Sequence, residues 1–272
     1  MKTAFLIPAL ALALHAQAPA TTLRCDQNGW RVNGLDTYCT IVEIPAPFAG
    51  ALSINSVNGS VTVRGWDGAD VLVRAQIQTA ATSQSAAQAL AGLVSVDVSA
   101  AHVQASGPKT NIEQTWSASL EIFVPHTADL NVTTANGALS IADVQGHLQF
   151  KVANGAISLA RLAGQVEGKV ANGAVAIALG GDHWDGAGLN VTTACGAISV
   201  DAPYDYSAHF DAATTVGTIG TNYPVPAQNN TGRFWGKLSL GGSLVFDAGS
   251  GGAPIHVAAT VGAIQIRRLP AE

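Results

Sequence analysis

The sequence predicts an all-β protein built as a β-solenoid, in which short strands stack in rungs of about 18 residues beside one short helix. Three observations predict this fold: a short phrase that recurs along the chain, apolar residues that alternate with polar or small ones between the phrases, and a composition poor in charge. Only 11% of the 272 residues are charged. Helices favour Glu, Lys and Arg, so a helix-rich fold is disfavoured.

The recurring phrase is Asn-Gly, a small residue, and two apolar residues separated by one. Consecutive copies place glycine at 137, 155 and 173, a step of 18 both times, and the step then widens to 23 and 21. Glycine adopts positive φ without steric cost and asparagine tolerates it, so each copy predicts a sharp corner between two strands. The predicted corner residues are Asn58, Gly59, Asn136, Gly137, Asn154, Gly155, Asn172, Gly173, Gly196, Gly217 and Gly262.

Two architectures fit these corners. In a β-solenoid each unit is one rung, identical positions stack about 4.8 Å apart, and the asparagines form a ladder along one edge. Alternatively, each Asn-Gly is a hairpin loop in an antiparallel β-sandwich or meander, which would put Val152 opposite Ile157. The constant step, and corners that keep glycine but lose asparagine, favour the solenoid.

The remaining elements follow in chain order. Residues 61–63 and 71–77 are predicted strands on either side of a turn at Trp66. Residues 83–92 predict the helix, which begins at a serine cap and ends at a glycine, and which we expect to cap an open end of the stack. Strands are predicted at 94–98 and 119–124, and a loop at 222–236.

Residues 1–20 are typical of a signal peptide: Lys2 precedes an apolar run and the small triplet Ala18-Pro19-Ala20. The mature chain is predicted to begin near Thr21. The apolar run is shorter than the roughly 20 residues that span a bilayer, and no later segment is long enough, so no transmembrane segment is predicted in the mature chain. We expect an exported protein of the periplasm, the extracellular space or the cell surface.

Three cysteines would enter an oxidising compartment after export. Cys25 and Cys39 are the natural disulfide pair, and closing their loop of about 15 residues is worth roughly 3 kcal/mol. This pair defines an N-terminal segment, residues 21–49, before a β-repeat domain at residues 50–268. Cys195 stands where other copies have asparagine, and we predict it to be a small buried substitute.

Composition and outward positions argue against two classes of function. A net charge of −5 and 13 scattered Lys and Arg residues offer no basic stripe, so no nucleic-acid partner is expected. Outward positions of residues 128–181 are mainly Ala, Ser, Thr, Asn and Gln. They lack the clustered carboxylates used by β-helix enzymes that act on polysaccharides, which is the alternative function. No catalytic residue, metal ligand or cofactor is predicted.

Two places carry candidate contact residues. Asp182, His183, Trp184 and Asp185 form the densest polar stretch and coincide with the widened step. They are either a polar turn, which we favour, or a site where carboxylates and imidazole hold a metal and the indole stacks on a sugar. Phe234 and Trp235 are candidate contacts or covers for the end of the apolar stack.

The order of these elements resembles the putative-adhesin family of bacterial cell-envelope proteins, a domain of unknown function, over about residues 50 to 268. The likeness rests on the Trp66-Asp67 turn, the alanine-rich helix, the Asn-Gly phrases and the ending at residues 261–268. It implies an exported β-solenoid-like domain without established catalysis. We therefore predict a non-catalytic adhesin or scaffold module that binds an envelope glycan or protein, with end-to-end self-association as a further possibility.

Overall fold

Strands alternate between two facing sheets along most of the chain. The computed structural model describes residues 19–25, 32, 34–225, 230–235 and 238–271. Helix α1 spans Gln84–Ala91. The strands are β1 (Asp36–Ala46), β2 (Ala51–Asn58), β3 (Val61–Trp66), β4 (Val71–Ala81), β5 (Ser95–Val98), β6 (His102–Ser106), β7 (Gln114–Pro125), β8 (Asp129–Asn136), β9 (Leu139–Ala142), β10 (Gln145–Asn154), β11 (Ile157–Ala160), β12 (Ala163–Asn172), β13 (Val175–Ala178), β14 (Gly188–Cys195), β15 (Ile198–Ala202), β16 (Ala208–Val216), β17 (Ile219–Thr221), β18 (Asn230–Trp235), β19 (Leu238–Ala248), β20 (Pro254–Val261) and β21 (Ile264–Arg268).

A rung consists of one strand in the back sheet, a glycine corner, and a shorter strand in the front sheet. The front sheet has the order β1-β4-β7-β3-β9-β11-β13-β15-β21-β17, and the back sheet has the order β18-β19-β16-β20-β14-β12-β10-β8-β2-β6-β5. Successive rungs pair in parallel, with Asn154 opposite Asn172 and Ile157 opposite Val175. The predicted solenoid is confirmed. The hairpin alternative is wrong, because β10 and β11, which flank one corner, lie in different sheets.

Alternation along the strands fills the space between the sheets. Leu148 and Phe150 of β10 and Ile157 and Leu159 of β11 are each at most 2% exposed. Phe150 needs a glycine on the neighbouring rung, because a Cβ at Gly168 would lie 2.0 Å from the phenyl Cζ atom. The core is therefore fitted between rungs as well as within each rung.

The corner glycines form a column, which we call the glycine column. Gly137 has φ of 147°, and a Cβ there would lie 2.0 Å from the Gly59 carbonyl oxygen one rung away. The Gly137 N–H donates to the carbonyl oxygen of Asn154 on the other side, at 2.9 Å. The same close approach to the preceding rung recurs at each later corner, namely Gly155, Gly173, Gly196, Gly262 and Gly217. Glycine persists at the corners because stacked backbones leave no room for a side chain.

The asparagines form the predicted ladder over part of the column. The Asn154 amide donates to the Asn136 side-chain oxygen, and that of Asn172 to the Asn154 oxygen, both at 3.1 Å. On the next rung Cys195 stands opposite Asn172 and is exposed. The prediction that Cys195 is buried is wrong, because the residue before the corner glycine faces outward.

Spatial order departs from chain order at the C-terminal end. The β20–β21 rung inserts between β14–β15 and β16–β17, so residues 254–268 are the last rung in sequence but not in space. β19 then pairs antiparallel with β16, and β18 pairs antiparallel with β19. The predicted loop at 222–236 is wrong for residues 230–235, which form β18.

Antiparallel strands and the helix complete the N-terminal end. β7 extends the front sheet parallel to β3, and β4 and β1 follow antiparallel. Helix α1 begins at the predicted cap, where the Ser83 hydroxyl accepts a hydrogen bond from the Ala86 N–H. It connects β4 of the front sheet to β5 of the back sheet and buries Ala87 and Leu90. The helix thus covers this end of the core, as expected.

The predicted disulfide joins Cys25 to Cys39 of β1, with Cα atoms 5.5 Å apart. It fixes residues 19–25 beside the front sheet. Residues 1–18, which carry most of the predicted signal peptide, lie outside the described residues. Among the helices that the structure describes, none is long and apolar enough to span a membrane.

Candidate functional site

A pocket of about 210 Å³ lies near the C-terminal end of the column, and we call it the terminal pocket. It forms where the chain leaves the repeat: the β15–β16 connection, the segment after β17, the end of β19 and the end of β21. Pockets for drug-sized ligands measure about 300–1,000 Å³, so this one suits a smaller group such as a single ring. Its principal lining residues are Tyr204, Asp205, Tyr206, Tyr223, Phe246, Asp247 and Arg268.

Aromatic rings support the pocket from the core side. The ring centroids of Phe210 and Phe246 are 5.2 Å apart in a stacked arrangement, and Tyr223 lies 5.8 Å from Phe210 and 5.2 Å from Phe246. Phe210 is fully buried, whereas Phe246 and Tyr223 reach the pocket. Rings packed at these distances hold one another in place, so this side of the pocket is rigid.

A cation closes one side of the pocket. The guanidinium carbon of Arg268 lies 3.5 Å from the centre of the Tyr204 ring, and the Arg268 Nε donates to the Tyr204 carbonyl oxygen at 2.6 Å. The backbone N–H of Arg268 donates to the Asn222 side-chain oxygen at 2.7 Å. Tyr204 remains 44% exposed. The guanidinium covers part of this tyrosine and leaves aromatic surface available to a ligand.

Tyr223 carries a polar atom that is buried from solvent. Its side chain is 9% exposed, and its hydroxyl has no hydrogen-bond partner in the part of the chain that the structure describes. Burial raises the pKa of this hydroxyl, and the charge of Arg268 opposes that rise. The hydroxyl is therefore neutral at physiological pH and can both donate and accept a hydrogen bond.

The polar stretch singled out in the sequence does not line this pocket but lies beside the β15–β16 connection that does. The Asp182 carbonyl oxygen accepts from the Ser207 N–H at 2.8 Å, and burial together with the Asp182 charge raises the pKa of the neighbouring Tyr206 hydroxyl. The His183 ring nitrogen Nδ1 lies 2.6 Å from the Asp182 carboxylate, and this hydrogen bond lowers the pKa of Asp182. Both side chains are exposed. Asp182 and His183 are thus neighbours of the terminal pocket.

Two other candidate contact residues, Trp184 and Asp185, do not line the terminal pocket. Trp184 is 5% exposed, and its indole N–H donates to the Gly164 carbonyl oxygen at 2.9 Å. The less favoured alternative, in which the indole stacks on a sugar, is wrong, because the ring fills the core where the rung widens. Asp185 is exposed and accepts a long hydrogen bond of 3.4 Å from Gln145. The side chains of Phe234 and Trp235 lie outside what the structure describes.

Sequence reasoning missed most of the terminal pocket. Tyr204, Tyr206 and Arg268 were not singled out, although the two tyrosines flank Asp205 just after Pro203, where the repeat is interrupted. Arg268 ends a strand whose position in space only the rung order reveals. An interruption of the repeat that is rich in aromatic residues is the signal that could have found this site.

Histidine–carboxylate pairs occur on the outer face of the back sheet near the same end. His209 Nδ1 lies 2.7 Å from Asp247, and His256 Nδ1 lies 3.0 Å from Asp211. Each pair is exposed or partly exposed. Across the described residues, no group of three or more His, Cys, Asp or Glu side chains is arranged to hold a metal ion.

Comparison with protein families assigns the fold. The family model described as Toastrack DUF4097 matches residues 24–237, more than half of the chain. The chain belongs to the Toastrack DUF4097 family. The resemblance to the putative-adhesin family is confirmed, and the Toastrack match also covers the cysteine pair. None of the curated proteins compared with this Toastrack chain matches it.

Solved structures similar to this Toastrack protein are distant in sequence. A putative cell adhesion protein from Clostridium sporogenes has 12% identity and a TM-score of 0.43, covering 86% of this chain and 100% of that one. A putative adhesin from Bacteroides fragilis has 10% identity and a TM-score of 0.27, covering 84% and 97%. A putative lipid binding protein from Parabacteroides distasonis has 12% identity and a TM-score of 0.29, covering 85% and 97%.

Proposed function

We propose that this protein is an exported, non-catalytic binding module of the cell envelope that holds one neutral sugar residue of an envelope glycan in the terminal pocket. The leader-like residues 1–20 and the Cys25–Cys39 disulfide support export, because disulfides persist in oxidising compartments. The glycan is the occupant that the pocket chemistry favours.

The observation that carries the proposal is a small pocket with aromatic walls in which the Tyr204 ring is 44% exposed. The Tyr223 hydroxyl is not a contact group, because its oxygen is buried beneath the pocket surface. The partly exposed ring of Tyr204 offers apolar surface to the C–H face of a sugar ring. Asp205 and Asp247 offer acceptors to sugar hydroxyls, and with two carboxylates beside one guanidinium the pocket favours a neutral sugar over an acidic one.

The test begins with the mature protein purified from the periplasm of an expression host and applied to an array of bacterial envelope glycans. Calorimetry with a bound glycan then measures the affinities of variants. Tyr204→Ala is expected to weaken binding about tenfold through lost ring contact. Tyr223→Phe is expected to leave the affinity unchanged, because the hydroxyl oxygen is buried and does not reach the ligand.

Arg161→Gln is the matched control, since Arg161 makes a bidentate pair with Asp143 at a corner of the middle rungs, away from the pocket lining. The Arg161→Gln variant should bind the glycan with the same affinity as the unchanged protein. The proposal fails if no glycan binds, or if Tyr204→Ala binds as tightly as the control. Turnover of a bound glycan that is lost in Asp205→Asn would overturn the non-catalytic part and favour the enzyme alternative.

A further inference from the structure

Glu121 is a buried carboxylate on the outer face of the front sheet, beneath residues 19–25. It is 1% exposed. Its oxygens accept hydrogen bonds from the Thr21 hydroxyl at 2.8 Å, the Thr22 hydroxyl at 2.9 Å and the Thr22 N–H at 3.2 Å. The segment that covers this carboxylate is therefore the start of the predicted mature chain.

The charges around Glu121 do not balance in the precursor. Arg74 bonds to Glu43 at 2.6 Å, lies 3.8 Å from Glu121, and donates through Nη1 to the Pro19 carbonyl oxygen at 2.6 Å. Arg74 is 7% exposed and makes its shorter ion pair with Glu43, whose side chain is 52% exposed, so the buried Glu121 has only the longer contact. A buried charge is costly unless it is well paired, so a second cation beside Glu121 would stabilise the folded protein.

We propose that Glu121 is the binding site for the α-ammonium group of the mature chain, created when a signal peptidase cleaves between Ala20 and Thr21. Water adds across this peptide bond, leaving a carboxyl group on Ala20 and an amino group on Thr21. The amino nitrogen is three bonds from the Thr21 hydroxyl oxygen that already contacts Glu121. Cleavage also removes the Pro19 carbonyl, which frees an N–H group of Arg74 to turn towards Glu121.

Neighbouring contacts keep the new terminus in place. The Gln76 side chain donates to the Arg24 carbonyl oxygen, and the Cys25–Cys39 disulfide ties the segment to β1. Only three residues separate Thr21 from Cys25, so the terminus cannot move far from Glu121. The proposal rests on the export included in the proposed function but not on glycan binding, because the terminal pocket lies at the other end of the column.

The test compares two forms of the purified protein, one beginning at Thr21 and one retaining Ala20, together with terminal sequencing of the exported protein. The Thr21 form is expected to unfold about 2–4 °C higher, the shift that corresponds to about 1 kcal/mol in a chain of this size. The difference should vanish in Glu121→Gln. It should persist in Glu167→Gln, which alters an exposed carboxylate on β12.

A second measurement covers the case in which Glu121→Gln fails to fold. An amine-reactive reagent should label the Thr21 amino group of the folded protein at least about tenfold more slowly than the amino group of the Ala20 form, because an ion-paired ammonium is less available. The inference fails if exported protein begins at another residue. It also fails if both forms share one melting temperature and one labelling rate, whatever glycan binding shows.

Discussion

The middle of the column, residues 129–178, and its C-terminal end, residues 203–271, both contain rungs of the repeat, but they present different surfaces. In the middle, Ser140, Ser158 and Ala176 stand in register on the outer face of the front sheet, all small. At the end, Tyr204 and Arg268 stack against each other and border a pocket. The regular stack provides a rigid support, and side chains suited to a ligand appear where the chain leaves the repeat.

The largest expected loss of stability comes from creating a cavity in the core of the middle rungs. Phe150→Ala should lower the free energy of unfolding by about 3–5 kcal/mol, because a fully enclosed ring leaves a cavity between rigid rungs. Phe246→Ala at the end should cost less, since this ring already borders an open pocket. Urea denaturation of both variants measures the difference. An equal or larger loss at Phe246 would mean that the end is as tightly packed as the middle.

The next effect tests the glycine column. Gly137→Ala should cost about 3 kcal/mol, combining strain at positive φ with a Cβ that would lie 2.0 Å from the Gly59 oxygen. Gly252→Ala is the matched control, because Gly252 has φ of 143° but its added Cβ would come no closer than 3.5 Å to its nearest neighbour. It should cost only about 1–2 kcal/mol. Equal losses in thermal unfolding would show that backbone conformation, and not stacking, requires these glycines.

A smaller effect of opposite sign concerns buried hydroxyls. Tyr223→Phe at the end and Thr134→Val in the middle each remove a buried oxygen that has no hydrogen-bond partner in the described chain. Both should raise the free energy of unfolding by about 1 kcal/mol. Neither change should alter glycan binding, because both oxygens are buried. A loss of stability in Tyr223→Phe would indicate that its hydroxyl has a hydrogen-bond partner in solution.

The smallest effect lies on the asparagine ladder. Asn154→Ala should cost about 0.5 kcal/mol, because its amide bonds to Asn136 and from Asn172 are exposed to competing water. Cys195→Asn should raise the free energy of unfolding by a similar amount, because it extends the asparagine ladder by one rung beyond Asn172. Differential scanning calorimetry resolves both changes. A large loss in Asn154→Ala would show that the ladder, and not the glycine column, holds the corners.

Sequence patterns predicted the local geometry of this protein but not most of the terminal pocket. They located the corners, the helix from its Ser83 cap, and the Cys25–Cys39 pair. They drew attention to the stretch at Asp182 and His183, which lies beside the β15–β16 connection but does not line the terminal pocket. They missed Tyr204, Tyr206 and Arg268, because the β15–β16 connection and the end of β21 meet only in the folded chain.

The sequence by itself determined where the chain turns and which side chains face the core, because glycine conformation and two-residue alternation act over a few neighbours. Only the tertiary structure decided the order of the rungs, the burial of Trp184 and the exposure of Cys195. The physical reason is that rungs share one corner geometry and one strand spacing, so the repeating pattern alone does not fix which rung lies beside which. Packing at the two ends, where strands need partners and the core needs cover, selects one arrangement.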